Sequence, residues 1–194
     1  LEVSLDPPVG PGERVTVEIE FIVHVPEVDD RFGRSDGVLA LGNWFPILSV
    51  LRNGSWVDHP YFHDGECFFS ESSDFLVELV VPEDLVVAAT GELTSESQLG
   101  DGRVVQTWMA HGVRDFAVVA SPRFEVSRER VGGVTVYSYY LPEHAEGGKR
   151  VLEYAVNAIR VFSEHFTPYP FSTFRVAEVH GWFGGMEYPQ LLSL

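Results

Sequence analysis

The chain has 194 residues and a formal net charge of −16, from 13 Lys and Arg against 29 Asp and Glu. Apolar residues make up 45% of it and charged residues 22%, which supports a hydrophobic core and excludes wholesale disorder. Because an acidic surface repels polyanions, we expect no binding to nucleic acid or to an anionic membrane surface.

The single cysteine, Cys67, excludes an internal disulfide and a cysteine-rich metal site, and its neighbour Phe68 favours a core position for it. Residues 1–6 lack the basic start of a secretion signal. The longest apolar stretch, residues 38–51, is interrupted and too short to span a bilayer. These features leave the compartment open, with the cytoplasm favoured. The absence of an initial Met and the apolar end at Leu194 suggest a piece excised from a longer protein.

The first 140 residues have the sequence pattern of a series of short strands. In residues 14–25, apolar side chains such as Val15, Val17 and Ile19 alternate with polar ones, which predicts a half-buried strand. Residues 26–37 are rich in Asp, Gly and Arg and predict a surface loop. Further strands are predicted at residues 74–81, 85–90, 92–99, 103–109, 116–120 and 134–140. The series predicts a mainly β fold built as an antiparallel sheet or sandwich.

The period changes after residue 140. Apolar side chains recur every three or four residues in 151–166, which predicts an amphipathic helix that Pro168 ends. A strand is predicted at 173–179. Strands followed by one helix and one strand indicate a β domain over residues 1–140 and the start of an α+β domain over 141–194.

Histidine motifs do not predict a metal site. A helical zinc-peptidase site needs H-E-x-x-H, and no such run exists in the chain. His59 and His63 have the right spacing, but Pro60 follows the first and no glutamate lies between them, so a loop or packing role is favoured over a metal role. His165 suits the C-terminal end of a helix, where a cation complements the helix dipole. No G-x-S-x-G elbow or phosphate-binding loop is present.

The C-terminal segment Gly184-Gly185-Met186-Glu187-Tyr188-Pro189 differs from the rest of the chain. Paired glycines allow the backbone to approach a ligand or another strand closely. A carboxylate between Met and Tyr is costly to bury unless a cation pairs with it. The alternative is a tight corner with Glu187 pointing into water.

Two segments resemble the zinc aminopeptidases typified by membrane alanyl aminopeptidase and leukotriene A4 hydrolase. In that family a β-rich, saddle-like domain precedes a thermolysin-like catalytic domain. The family motif G-x-M-E is matched by Gly184, Met186 and Glu187, with Tyr188 in place of an asparagine. Its Phe-Gly-x-Tyr-Pro segment is matched by Phe166, Tyr169 and Pro170, with Thr167 in place of the glycine. The resemblance covers about residues 38–194, through β-domain landmarks at 43–46, 61–62, 70–71, 74–75, 80–83, 88–92 and 114–117.

The resemblance implies a role for the C-terminal segment in binding substrate. Glu187 would hold the protonated α-amine of a peptide through a charge-assisted hydrogen bond, which makes such an enzyme an exopeptidase. The backbone of Gly184, Gly185 and Met186 would run beside the bound peptide. Asp36 is the one candidate for a second polar group in the amine pocket.

The resemblance also implies zinc in the intact protein, where the metal would polarise the scissile carbonyl and activate a water. The family's zinc ligands lie downstream of the matching segment, so this fragment is predicted to ligate no zinc and to be inactive alone. A non-catalytic β-sandwich module that binds a protein or peptide is the alternative. A carbohydrate-active β domain is supported only by the aromatic and acidic content.

The predicted helix raises a question about partners. Without the rest of a catalytic domain its apolar stripe needs another surface. We expect it either to dock on the β domain or to pair with a second copy of the chain.

Overall fold

A computed structural model describes residues 1–57, 60, 62 and 69–194. The chain is mainly β with antiparallel sheets and one helix late in the sequence, which confirms the predicted fold class. The predictions for His59, His63 and Cys67 lie outside the described residues. Within the described ranges, no helix combines the length and the apolar character needed to cross a membrane.

The elements stack in four layers: a three-stranded sheet, a four-stranded sheet, a five-stranded sheet and a helix. The four-stranded sheet has the order β1-β2-β9-β6 and is antiparallel. Its strands are β1 (Phe32–Ser35), β2 (Val38–Leu41), β6 (Val86–Ala89) and β9 (Val118–Ser121). The three-stranded sheet, of order β5-β8-β7, contains β5 (Ser73–Pro82), β7 (Glu92–Gln98) and β8 (Arg103–Val113). A separate hairpin joins β3 (Leu51–Arg52) to β4 (Ser55–Trp56).

The four-stranded sheet lies between the three-stranded and five-stranded sheets, so both of its faces are buried. Val87 and Val118 pack with Trp108 of the three-stranded sheet. Their neighbours Ala88 and Val119 point to the opposite face and pack against the five-stranded sheet. A strand covered on both sides needs apolar residues at successive positions, and the sequences of β6 and β9 meet that need.

The five-stranded sheet has the order β10-β11-β12-β14-β13 and is mixed. It contains β10 (Glu125–Val131), β11 (Val134–Tyr140), β12 (Thr173–Ala177), β13 (Met186–Tyr188) and β14 (Leu191–Ser193). Strands β11, β12 and β14 are parallel, whereas β10 and β13 run antiparallel to their neighbours. Parallel strands need a long crossover. A 3-10 turn at Pro142–His144 and helix α1 (Ala145–His165) provide it between β11 and β12.

Helix α1 confirms the predicted helix and begins six residues earlier than expected. Its first turns contain Gly148, where an added Cβ would lie 2.1 Å from the ring of Tyr140. The glycine therefore lets the helix start directly against the sheet. Further along, Leu152 and Ala155 are buried and pack with Val176 of β12.

The predicted strand over residues 14–25 is wrong. The described part of the chain has no hydrogen-bonded strand there, and Val15, Val17 and Phe21 are 53%, 55% and 45% exposed. The alternating pattern is present, but no neighbouring strand pairs with it among the described residues.

The prediction of a loop over residues 26–37 is also wrong in part, because β1 begins at Phe32 and pairs with β2. Strand β10 was missed altogether, since its sequence EVSRERV is largely charged and mostly exposed. It forms because β11 pairs with it along its whole length.

Candidate functional site

Strand β13 contains the Met-Glu motif and forms an edge of the five-stranded sheet. One side of β13 pairs with β14, through Met186 with Ser193 and Glu187 with Leu192. On its other side, no strand follows within the described residues. The backbone of β13 therefore presents one row of hydrogen-bonding groups that the sheet does not use, which is how edge strands accept an added peptide.

The faces of β13 separate its side chains. Tyr188 is buried and packs in the core beneath the four-stranded sheet, together with the partly buried Met186. Glu187 points to the opposite face and is exposed. It lies directly across from Leu192, and residues opposite each other in a ladder share a face. Glu187 is thus on the face that carries helix α1.

The two positions before β13 need glycine for different reasons. Gly184 has φ of +74°, in the left-handed region that side chains rarely adopt, and an added Cβ would meet no atom within 4 Å. Gly185 has an ordinary φ, but its Cβ would lie 3.1 Å from the Leu194 side chain and 3.3 Å from the Ser193 carbonyl oxygen. Gly184 therefore supplies a turn, and Gly185 allows a close approach to β14.

Residues beside the β1–β2 hairpin contact β13 on its buried face. A guanidinium nitrogen of Arg31, Nη1, lies 3.4 Å from the Sδ atom of Met186. An added Cβ on Gly42 would lie 2.1 Å from the hydroxyl oxygen of Tyr188 and 3.0 Å from the Arg31 carbonyl oxygen. Residues just before and after the β1–β2 hairpin therefore hold β13 in place.

A groove of about 550 Å³ lies on the Glu187 face of the sheet, between helix α1 and strands β12 and β14. Its walls are almost entirely apolar; they include Tyr154, Phe162, Phe166, Tyr169, Phe174 and Leu192. Leu192 is the residue opposite Glu187, so the exposed carboxylate stands beside the groove without lining it. Tyr169 and Glu187 therefore lie on the same face of the five-stranded sheet.

Tyr169 anchors the first of these segments. Its hydroxyl lies 3.4 Å from the Thr173 carbonyl oxygen, which accepts the hydrogen bond, and its ring packs edge-on against Phe171 and Phe174. Burial raises the pKa of Tyr169 well above its ordinary value, so the side chain stays neutral and acts as a donor. Phe166, by contrast, is 81% exposed just after the end of the helix.

Asp36 is placed in a different cluster from Glu187. It lies in the β1–β2 turn with φ of 47°, and its carboxylate faces Arg123 at 3.9 Å and His180 at 3.3 Å. Arg123 also pairs with Glu143. The contacts that the structure describes for Asp36 therefore engage it with Arg123 and His180, and its predicted role in an amine pocket stays a prediction.

The sequence reasoning missed Arg175, a buried guanidinium behind the edge strand. Arg175 is 4% exposed and donates from Nη1 to the Gly91 carbonyl oxygen at 2.6 Å and to the Thr173 hydroxyl at 3.0 Å. Its guanidinium carbon lies 5.0 Å from the ring centroid of Trp108 and 5.3 Å from that of Tyr137. The sequence contains a sign of this position, because Arg175 is the central residue of the strand TFRVA, between the apolar residues Phe174 and Val176.

Arg175 also holds the β13–β14 hairpin. Its backbone N–H donates to the carbonyl oxygen of Gln190 at 2.9 Å, and Gln190 has φ of 61° in the tight turn between the two strands. The Thr173 hydroxyl lies 3.4 Å from the Gln190 side-chain oxygen. The turn between β13 and β14 is thus tied to the residue whose side chain contacts Gly91 and Trp108, outside the five-stranded sheet.

Across residues 1–57, 60, 62 and 69–194, no three His, Cys, Asp or Glu side chains lie together in a group that could hold a metal ion. The described residues therefore do not fit the zinc that the resemblance implies for an intact enzyme. The chemistry available at β13 is that of an acidic, strand-edge binding site beside an apolar groove.

Comparison with models of known protein families finds no match to this chain, and no curated protein matches it.

Proposed function

We propose that the chain is part of a zinc-dependent aminopeptidase-like metallopeptidase, and that its β13 edge binds the N-terminus of a peptide substrate. The observation that supports this best is the position of Glu187. It is exposed on an open edge strand, on the same face as an apolar groove. The residues described do not fit zinc, so their proposed part is substrate binding.

The binding mode follows from the strand edge. A peptide in extended conformation would pair with the free side of β13, and the main-chain hydrogen bonds would supply affinity. An ammonium group at the peptide's N-terminus would form a charge-assisted hydrogen bond with the Glu187 carboxylate. Because Gly184 and Gly185 have no side chains, the peptide backbone can approach this part of the edge closely.

The exposure of Glu187 limits how strongly it discriminates in this chain. An ion pair at an exposed site contributes about 0–1 kcal/mol, since water competes for both charges. We therefore expect a peptide with a free N-terminus to bind only about threefold to fivefold more tightly than its acetylated form.

The test uses the 194-residue chain labelled for NMR, titrated with an unstructured peptide whose N-terminus is either free or acetylated. We expect the largest chemical-shift changes in β13 and β14, and weaker binding of the acetylated peptide. Glu187→Gln should remove the difference between the two peptides. Glu78→Gln changes an exposed glutamate on β5, in another sheet, and should leave the difference intact. Equal affinity for both peptides in the unmodified chain would refute the role of Glu187.

Hydrolysis supplies a separate check on the same chain. We expect no cleavage of aminoacyl substrates by these residues alone, with or without added zinc. Cleavage that a chelator abolishes would contradict the proposed division, in which this chain binds substrate and other residues hold the metal. An H-E-x-x-H motif with a further glutamate in the coding sequence beyond Leu194 would support the enzyme.

A non-catalytic interaction module is the second candidate. The observation that favours it is a row of exposed apolar side chains, at Val15, Val17, Ile19 and Phe21. Exposed apolar rows of this kind are typical of surfaces that bind another protein. Such a module would bind a peptide without regard to its N-terminus. Chemical-shift changes that spread along residues 14–25, and that are the same for the free and the acetylated peptide, would support the module over the aminopeptidase.

A further inference from the structure

Helix α1 exposes an apolar stripe along the face next to the groove. Tyr154 is 62% exposed, Val161 40% and Phe162 60%. These positions recur after seven and eight residues and therefore share one face of the helix. Large exposed apolar patches usually mark interaction sites.

The charges beside the stripe have a symmetry that identifies a partner. Arg150 and Glu164 are both exposed and, at about 100° per residue, lie within about 40° of each other around the helix axis. The midpoint between them is Asn157. Glu153 and Arg160 form a second, inner pair of opposite charges centred within one residue of the same point. In the part of the chain that the structure describes, neither Arg150 nor Glu164 makes an ion pair.

We propose that α1 binds α1 of a second copy of the chain in antiparallel orientation, with the twofold axis near Asn157. In that arrangement Arg150 of each copy faces Glu164 of the other, and Glu153 faces Arg160. In a parallel twofold pair this row of charges would lie on opposite sides of the two helices, so the rows of the two copies would not meet. The pattern of signs along the helix therefore favours one orientation.

The apolar contacts fit the same axis. Tyr154 of one copy lies level with Val161 of the other, because both are three to four residues from the centre. A twofold interface uses the same patch on both copies, so a stripe beside a groove can be self-complementary. Phe162 lines the groove and is also part of the stripe, which places it at the boundary that the second copy would cover.

The net charge opposes this association. Two copies of a chain with a formal charge of −16 repel each other over distances that salt screens. We therefore expect a reversible dimer that depends on protein concentration. This inference concerns α1 and stands or falls separately from the proposed binding of peptides at β13.

Sedimentation equilibrium on the whole chain tests the association directly. We expect the apparent mass to rise from 21.7 kDa toward twice that value with increasing concentration. Phe162→Ser should weaken the dimer by at least about tenfold, and Tyr154→Ser repeats the test at another position of the stripe. An unchanged dissociation constant in both variants, or a monomer at concentrations of about 1 mM, would overturn the proposal.

Charge exchange tests the orientation. Arg150→Glu and Glu164→Arg each create like-charge contacts in the antiparallel dimer, and each should weaken it by about tenfold. The double variant restores opposite charges and should return the dissociation constant to within about threefold of the original. Because the two residues are about 21 Å apart in one chain, a rescue cannot come from within a monomer. Arg114→Glu carries the same charge change at an exposed position after β8, outside helix α1, and should have little effect. A double variant as weak as the singles would overturn the antiparallel pairing.

Discussion

Strand β8 and residues 14–25 have the same alternating pattern and different structures. In β8 the side chains of Val104, Gln106 and Trp108 are 3%, 6% and 2% exposed. In residues 14–25 the corresponding row, which includes Val17 and Ile19, is 55% and 47% exposed at those two positions. Strand β8 lies between β5 and β7, so hydrogen bonds on both sides hold it flat against the next sheet.

The difference shows that alternation determines which side chains share a face, whereas a neighbouring strand and a covering layer determine whether that face is buried. In β8 the buried face even contains the polar Gln106. Its oxygen accepts a hydrogen bond from the Trp108 ring nitrogen at 3.2 Å, and its nitrogen donates to Glu96 at 2.8 Å. These hydrogen bonds satisfy the polar groups of Gln106, which would otherwise cost free energy to bury.

The largest expected difference between the two regions is the loss of stability when an aromatic ring is removed from each. Trp108→Ala leaves a cavity between two sheets and should lower the free energy of unfolding by about 3–5 kcal/mol. Phe21→Ala removes a ring that is already 45% exposed and contacts Trp44 at a centroid distance of 6.5 Å, and should cost less than about 1 kcal/mol.

Denaturant unfolding of both variants measures the comparison. Circular dichroism before unfolding serves as the control, since both variants should retain the signal of the folded chain. If Phe21→Ala cost as much as Trp108→Ala, residues 14–25 would be packed in solution as β8 is, and the contrast between the regions would fail.

How far the sequence predicted the fold depends on whether local pattern or tertiary contact decided each element. Helix α1 and seven of the fourteen described strands were predicted, because three-residue and two-residue periods survive wherever a core covers one face. Strand β10 was not, because its charged sequence forms a strand only through pairing with β11. The strand predicted at 14–25 failed for the opposite reason: its pattern is strong and its partner is absent among the described residues.

The candidate site shows the same limit. The sequence singled out Glu187 and the glycines before it, since an acidic residue in an apolar segment is unusual. It could not place Glu187 on an exposed edge, because that depends on the order β12-β14-β13 in the sheet. Nor did it identify Arg175, whose partners Gly91 and Trp108 are distant in the chain.

A second prediction concerns Arg175, which is buried against the Trp108 ring on the covered face of β8. Arg175→Ala removes the packing against Trp108 and Tyr137 and the shorter of two hydrogen bonds to the Gly91 carbonyl oxygen, which also accepts from the Thr173 hydroxyl at 3.2 Å, so we expect a loss of about 3 kcal/mol. Arg175→Met retains most of the volume. Among the described residues no carboxylate forms an ion pair with Arg175, and a buried charge without such a partner is costly to desolvate, so Met should cost less than about 1 kcal/mol.

Denaturant unfolding of the two Arg175 variants separates packing from charge. A methionine variant as unstable as the alanine variant would mean that the hydrogen bond to Gly91 outweighs the packing. In that case the buried face of β8 would depend on a polar contact more than on its apolar contacts.

The smallest expected effect concerns an exposed contact between the chain segments that follow β11 and β12. His144 Nδ1 lies beside Glu178 Oε1, and that side-chain hydrogen bond, together with the charge of Glu178, raises the pKa of His144 above 6.5. The folded chain therefore binds this proton more tightly than the unfolded chain. The contact stabilises fully below about pH 6.5, and its contribution is lost as the pH rises through the raised pKa.

Thermal unfolding between pH 5 and pH 9, roughly the range of histidine titration, tests this sign. The melting temperature of the unmodified chain should exceed that of His144→Gln at the acidic end, and the difference should shrink as the pH rises. His165→Gln leaves the His144–Glu178 contact in place and should keep the original pH dependence. An NMR titration adds a local measurement, in which Glu178→Gln should return the pKa of His144 toward 6.5. A difference that grew with pH would mean that the neutral ring is the form the folded chain prefers, and Glu178 would then stabilise this region by its hydrogen bond to the Leu141 N–H alone.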